Sequence, residues 1–376
     1  MKKSIKSRLG EKIPIRHFYL HIPFCQKKCA YCSFHSVNFN SDILGKYLSA
    51  LQKEIDFMKK RFEFQPKTIY FGGGTPSLLS ANEINRILDN FDLSQIEEIT
   101  LEANPITITK KYAKELSQTK INRISMGVQS WIDEELRLLG RIHSTEIAEK
   151  AYNILRQVGF ENISLDLIYG LPQQKLTDLK YSIQKMIDLK PEHISTYCLS
   201  LEEDVPLYQK KNLIPPDEKV SEFYFEIRKQ LLSAGYNHYE LSNFALEGCE
   251  AKHNSAYWED AYYLGLGAAA AGYVSAFRYQ NNLLHTYMQD MESENLFCNR
   301  EEIGRDEKKH EYIFLHLRTS KGIDLEEFKN KFSADFIKSY EGIISKYRNN
   351  FIITETHFAL KAESYFISNT ILSEFM

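Results

Sequence analysis

Three cysteines lie on one short stretch, His21-Ile-Pro-Phe-Cys25-Gln-Lys-Lys-Cys29-Ala-Tyr-Cys32, spaced C-x3-C-x2-C. Three thiolates on one loop can hold three irons of a cubane cluster. A [4Fe–4S] cluster normally takes four cysteine ligands. With three, one iron stays open, and an open metal position is where chemistry is done. The bland alternative is a zinc knuckle, with His35 as the fourth donor of a Cys3His set and no catalysis. The remaining cysteines, Cys198, Cys249 and Cys298, are far apart in sequence and read as buried small hydrophobes.

Such a loop needs a frame. An apolar, aromatic segment precedes it and reads as a strand over residues 17–24, with residues 1–16 as a polar N-terminal segment. Further strands are expected at 67–71, 98–103, 123–128, 162–168 and 193–199. Residues at helical spacing separate them, at 42–61, 82–91, 110–117, 133–139, 145–158 and 176–189, and a helix follows the last strand at 218–234. Strand and helix alternate six times, which argues a parallel sheet with helices outside. Six units fall short of the eight of a closed barrel, so an α/β fold with an open, partial (β/α)6 barrel is expected. After about residue 235 the rhythm changes. A smaller α+β domain is expected there, giving a division at 1–16, 17–245 and 246–376.

Strands covered on both faces should be nearly all apolar, so polar exceptions are informative. Side chains alternate faces along a strand. On that rule Tyr19 and His21 share a face, and Glu102, Gln129 and Asp166 stand at strand ends. Taken singly, each reads as a hydrogen-bonded strand-end group. Taken together behind a cysteine triad, they read as a ligand site, with His21 as the candidate catalytic side chain. Strand two closes in Gly72-Gly-Gly-Thr-Pro-Ser77, where glycines let the backbone approach a ligand.

Composition narrows the class. The chain has 376 residues, 43% hydrophobic and 26% charged, enough for a sizeable core. A net charge of -3 gives no basic field for nucleic acid. The basic residues 1–16 lack the apolar run of a secretory leader, and the Gly/Ala-rich run 262–277 is too short to span a bilayer. A cytoplasmic protein without a transmembrane segment is expected, in a compartment that suits thiolates.

The cysteine spacing after an early strand resembles the radical S-adenosylmethionine (SAM) family. There, the open iron chelates SAM and an electron from the cluster releases a 5′-deoxyadenosyl radical. Further blocks occur in order: Leu101-Glu-Ala-Asn-Pro105, Ser125-Met-Gly-Val-Gln-Ser130, Leu139-Gly-Arg141, Leu165-Asp-Leu-Ile-Tyr-Gly-Leu-Pro172 and His253-Asn-Ser-Ala-Tyr-Trp258. With the two motifs above, they resemble the oxygen-independent coproporphyrinogen III oxidase superfamily over about residues 17 to 375. The resemblance implies cluster ligands at Cys25, Cys29 and Cys32. It implies SAM contacts at Tyr19, Tyr31, Gly73, Gly74, Thr75, Glu102, Gln129, Arg141 and Asp166. Arg141 would otherwise read as a surface helix cap.

That superfamily has two branches. One is the oxidase, which decarboxylates two propionates of coproporphyrinogen III. The other resembles the HemW type, a heme chaperone that delivers heme to recipient hemoproteins. The oxidase motif carries a fourth cysteine where this chain has Phe34, and a long N-terminal extension where only residues 1–16 precede strand one. The His253 block is similar to the chaperone branch, which makes His253 a candidate heme ligand. Ala271 departs from that branch, where many relatives carry a histidine. The expected partners are heme, recipient hemoproteins and an electron donor, with no nucleic acid.

Overall fold

A computed structural model describes residues 12–293, 297 and 299–376. The chain forms two compact units that interleave along the sequence. The first contains residues up to Asp166, Ser200–Lys211 and Tyr262–Glu302; the second contains Leu167–Leu199, Asn212–Ala261 and Ile303–Met376.

In the first unit, β1 spans Ile13–Ile22 and buries Ile15, Phe18, Leu20 and Ile22. It starts four residues before the expected position, inside what reads by composition as a loose polar segment. The reason lies in its neighbour. Helix α1 (Ser41–Arg61) runs straight into β2 (Phe62–Gly73), so the chain is already extended when it passes β1. Ile13 to Ile15 pair with Phe62 to Phe64, and the register then jumps to His17 opposite Thr68. Pro66, which has no N–H to give a ladder, falls in that irregularity. It hides the early half of β2 from a sequence reading.

Helix α1 forms because Asn40 caps its first turn, accepting from the N–H groups of Asp42 and Ile43, and because Leu44, Tyr47, Leu51, Ile55 and Met58 make one buried stripe. Then follow α2 (Ala81–Leu88) with its Ser80–Glu83 capping box, β3 (Glu98–Ala103), α3 (Lys110–Leu116), β4 (Arg123–Gln129), α4 (Asp133–Leu138) and α5 (Thr145–Gln157). Strands β1, β2, β3 and β4 lie side by side and parallel. Strand β5 (Ile163–Tyr169) passes from the first unit into the second after Asp166.

The second unit continues with α6 (Leu176–Leu189), β6 (His193–Cys198), α7 (Asp217–Ser233), β7 (Asn237–Glu240), β8 (Asn243–Ala245) and α8 (Lys252–Trp258). Strand β8 lies antiparallel between β6 and β7.

The chain then returns to the first unit. Strand β9 (Tyr263–Leu266) pairs parallel with the free side of β1, placing Tyr19 beside Gly265. Strands β10 (Ala271–Val274), β11 (Phe277–Gln280) and β12 (Arg300–Glu302) extend it antiparallel, and α9 spans Leu284–Ser293. The Gly/Ala-rich run is the tight β9–β10 connection. A Cβ on Gly265 would lie 1.8 Å from the carbonyl oxygen of Ala271, so only glycine fits. Among the described residues the sheet does not close on itself, and no helix is long and apolar enough to cross a membrane.

The rest of the second unit is α10 (Arg305–His316), a small sheet of β13 (Ile323–Asp324), β14 (Phe351–Ile353) and β15 (His357–Leu360), and the helices α11 (Leu325–Phe332), α12 (Phe336–Ser339), α13 (Glu341–Lys346) and α14 (Ser368–Leu372). Phe328, Phe336, Phe351 and Phe358 pack edge-on or tilted in its core.

Cys198 corrects an expectation. It ends β6 and is exposed because the chain leaves the sheet there. Cys249 is half-buried, and Cys298 lies outside the described residues.

Candidate functional site

The sheet register builds the site. His21 lies beside Gly72 and Ile22 beside Gly73, so the cysteine loop leaves β1 where the glycine turn leaves β2. Glu102 lies beside Ser125. Ser125 Oγ donates to Asp166 at 3.3 Å. A row of polar groups thus runs along the C-terminal strand ends of the first unit, where parallel α/β sheets bind ligands.

The cysteine loop is closed by protein alone. Ala30 donates its N–H to the carbonyl of Leu139 (2.9 Å) and accepts from the N–H of Leu207 (2.8 Å). Gly140 permits the first contact: its φ is +73°, and a Cβ there would meet the nitrogen of Ala30 at 3.1 Å. This turn carries the next residue, Arg141, over the loop. Arg141 Nη1 donates to Cys29 Sγ at 3.4 Å, Nη2 donates to the carbonyl of Gly127, and Tyr31 is a further partner. Arg141 is therefore no surface cap. Thr75 Oγ1 lies 3.6 Å from Cys25 Sγ.

All three cysteines are free and half-buried. Burial pushes the Cys32 thiol up, and the charges of Cys29 and Cys25 add to the rise. Among the described residues, no three Cys, His, Asp or Glu donors converge on one point to hold a single ion. A cubane presents a different iron to each thiolate, so its ligands need not converge. His35, the fourth donor of the zinc alternative, is engaged elsewhere: its Nε2 accepts from the N–H of Leu284 at 3.2 Å.

His21 is buried and held at both ring nitrogens. Its Nε2 lies 3.0 Å from the carbonyl of His35, which can only accept, so Nε2 carries the proton. Nδ1 then accepts from the hydroxyl of Tyr19 at 3.1 Å. Burial lowers the pKa of this imidazole and favours the neutral ring. Glu102 accepts from the Tyr70 hydroxyl (2.8 Å) and from the N–H of Gly73 (3.2 Å). Burial pushes its carboxyl up to about 7, and the nearby charge of Asp166 adds to the rise. Gly73 has φ +109°, and a Cβ there would strike the His21 ring at 2.7 Å. Gly74 and Thr75 donate their N–H groups to the carbonyls of Ile22 and Phe24.

Two buried polar atoms in this row have no partner, Gln129 Oε1 and Arg141 Nε. Gln129 also sits at φ +73°, a left-handed conformation uncommon outside glycine, where β4 ends. Unfilled buried polar atoms and local strain at one spot fit a polar ligand that carries both donor and acceptor groups.

The first unit thus gathers Tyr19, His21, Tyr31, the cysteines, Gly73, Gly74, Thr75, Glu102, Gln129, Arg141 and Asp166. His253 lies on α8 in the second unit, fully buried, with Nε2 2.8 Å from the hydroxyl of Tyr257. An open cavity of about 730 Å³ in the second unit is lined by Phe225, Ile352, Lys361 and Phe366 among others, and by none of the site residues. A sequence reading misses Tyr70, although period-2 alternation from Gly72 would place it on the site face. It also misses Ser125 as the partner of Asp166, and Tyr47, whose hydroxyl donates to the His21 carbonyl.

Comparison with known proteins adds the family. The radical SAM superfamily pattern matches residues 19–186, and the HemN C-terminal domain pattern matches residues 303–356. A protein of Lactococcus lactis named heme chaperone HemW is 38% identical over 332 residues, covering 86% of each chain. Its namesake in Bacillus subtilis is 33% identical over 372 residues, covering 95% of this chain and 98% of its own. The solved coproporphyrinogen III oxidase (HemN) of Escherichia coli, described as a radical SAM enzyme, superposes with a TM-score of 0.83 at 23% identity, over 97% of this chain and 90% of that one. At that identity the likeness speaks for the fold.

Proposed function

The chain belongs to the HemW heme-chaperone family within the radical SAM superfamily, and from that premise we propose that it binds heme and delivers it to recipient hemoproteins. Cys25, Cys29 and Cys32 hold a [4Fe–4S] cluster with one iron open. Tyr19, Tyr31, Gly73, Gly74, Thr75, Glu102, Gln129, Arg141 and Asp166 form the SAM site. When bound, cluster and SAM together supply one-electron chemistry, fed by an external electron donor; the reading does not require that chemistry in every heme-transfer cycle. The protein's own part is to hold the thiols in shape through Ala30, to place a cation at Cys29 through Arg141, and to keep His21 neutral. It acts in the cytoplasm.

The likeness to the named heme chaperones over most of both chains carries the choice of the chaperone over the oxidase. Phe34 in place of a fourth cysteine agrees with it. His253 belongs to this reading as a heme ligand only if its contact with Tyr257 opens.

The test uses the full chain, reconstituted anaerobically with iron and sulfide. Titration with hemin should give a Soret band at one heme per chain. Coproporphyrinogen III with SAM and a reductant should be left unconverted. Turnover in that assay, with the cluster content verified, would transfer the protein to the oxidase branch.

A further inference from the structure

Heme iron takes an accessible axial donor, of which a neutral imidazole is a common one, and the protein must also receive a broad apolar ring with two carboxylates. Of the eleven histidines, His285 and His357 are exposed. His357 is held by Thr356 at 2.9 Å and faces Asp324 at 3.8 Å. The imidazole of His285 makes no hydrogen bond among the described residues. It is the second residue of α9, in the first unit. Half-buried His310, on α10, has no exposed large apolar side chain on its helix.

The surroundings of His285 match the rest of the ligand. The bond from the N–H of Leu284 to His35 Nε2 ties the start of α9 to the cysteine loop. On either side of that tie stand Phe34, 68% exposed, and Leu283, 58% exposed. They are the two most exposed large hydrophobics of the described chain apart from the terminal Met376. Exposed Lys27 and Lys28 lie on the same loop, and the charge of Lys28 is felt at His35. Cation, aromatic, aliphatic and imidazole residues thus sit on the two segments that this bond joins into one lip.

We infer that this lip, formed by Phe34, Leu283, His285 and Lys28, is the heme seat, with His285 as the axial ligand and the lysines facing the propionates. The inference rests on the heme-chaperone reading and specifies its site. Unlike His253, His285 reaches iron without any buried contact opening. The competing seat is the second-unit cavity, which is roomy and partly apolar but has no imidazole, thiol or thioether in its lining.

The full chain is titrated with ferric heme, and ligation is read from the Soret position and the low-temperature electron spin resonance signal. His285→Ala should shift both and weaken binding at least ~10- to 100-fold, the range that loss of even an outer-sphere partner costs a metal site. Phe34→Ser should weaken binding with the ligation signature kept. Capping the propionates as methyl esters should remove the difference between wild type and Lys28→Ala. Ile352→Ser should bind as wild type. A wild-type spectrum and affinity in His285→Ala would overturn the inference and leave the chaperone reading standing, the more so if His253→Ala or Ile352→Ser lost binding instead. Failure of the wild type itself to bind heme would overturn both.

Discussion

Two glutamates in the first unit share a pKa pushed up to about 7 by desolvation, yet they sit in opposite kinds of surroundings. Glu54, on α1, is wholly enclosed. It accepts from Asn281 Nδ2, the N–H of Gly267 and the Tyr287 hydroxyl, each at 2.7 Å, and Asn281 also donates to the carbonyl of Gly267. Every donor there is spent on another protein group. Glu102 is half-buried, and its neighbourhood is unfinished: Asp166 adds like charge, and Gln129 Oε1 and Arg141 Nε lack partners. A raised carboxyl pKa therefore does not mark a binding site by itself. The incomplete hydrogen-bond network is what sets Glu102 apart from Glu54.

Four measurements would break or sharpen that contrast. The largest effect is expected in the open region: replacing Cys25, Cys29 or Cys32 by alanine should abolish the cluster absorbance of reconstituted protein. Replacing Cys198 or Cys249 should not. Loss of the cluster from either of the latter would give the fourth iron a protein ligand and end the open-iron argument.

In the closed region, Glu54→Ala strands three buried donors, each worth ~1–3 kcal/mol. Urea unfolding should show a loss of at least about 3 kcal/mol. Glu102→Ala leaves the Tyr70 hydroxyl and the N–H of Gly73 within reach of water, and should cost only about 1 kcal/mol. Equal losses in the two variants would erase the distinction.

A smaller effect is expected on SAM. Asp166→Ala removes a charged contact worth roughly 1.5–3 kcal/mol, so calorimetry should show affinity about tenfold to a hundredfold weaker with cluster content unchanged. Unaltered affinity would remove Asp166 from the site.

The smallest effect concerns pH. Glu102 is mainly protonated below about 7 in the free protein. The sulfonium of SAM is a cation and favours the carboxylate, so binding releases a proton. SAM affinity should rise roughly tenfold from pH 6 to pH 8 and level off above it. In Glu102→Gln that dependence should vanish; its persistence would assign the titration to another group.

Much of this was legible in the sequence, and particular residues show why the rest was not. Strand β3 follows from its apolar alternation, and α1 from its stripe, because those signals are local. The cysteine spacing is local too. Arg141 was legible only by resemblance, since its place over Cys29 depends on Gly140 fitting against Ala30, more than a hundred residues earlier in the chain. Glu54 looks like one more charge on a helix until Gly267, Asn281 and Tyr287 arrive to enclose it. The return of residues 262–302 to β1 leaves no local trace, because β9 is only four residues long.

That return sets a clock. Strand β1 gains its second neighbour only when Tyr263 has left the ribosome, long after Cys32. At about 5–20 residues per second, the interval is roughly ten to fifty seconds. Through all of it one edge of β1 is unpaired, and Leu284 has not yet arrived to tie His35 in place. The cysteine loop is made early and its strand is finished late: a nascent chain stalled before residue 263 would hold Ala30 through Leu139 and Leu207 but leave an edge of β1 exposed to pairing with another chain.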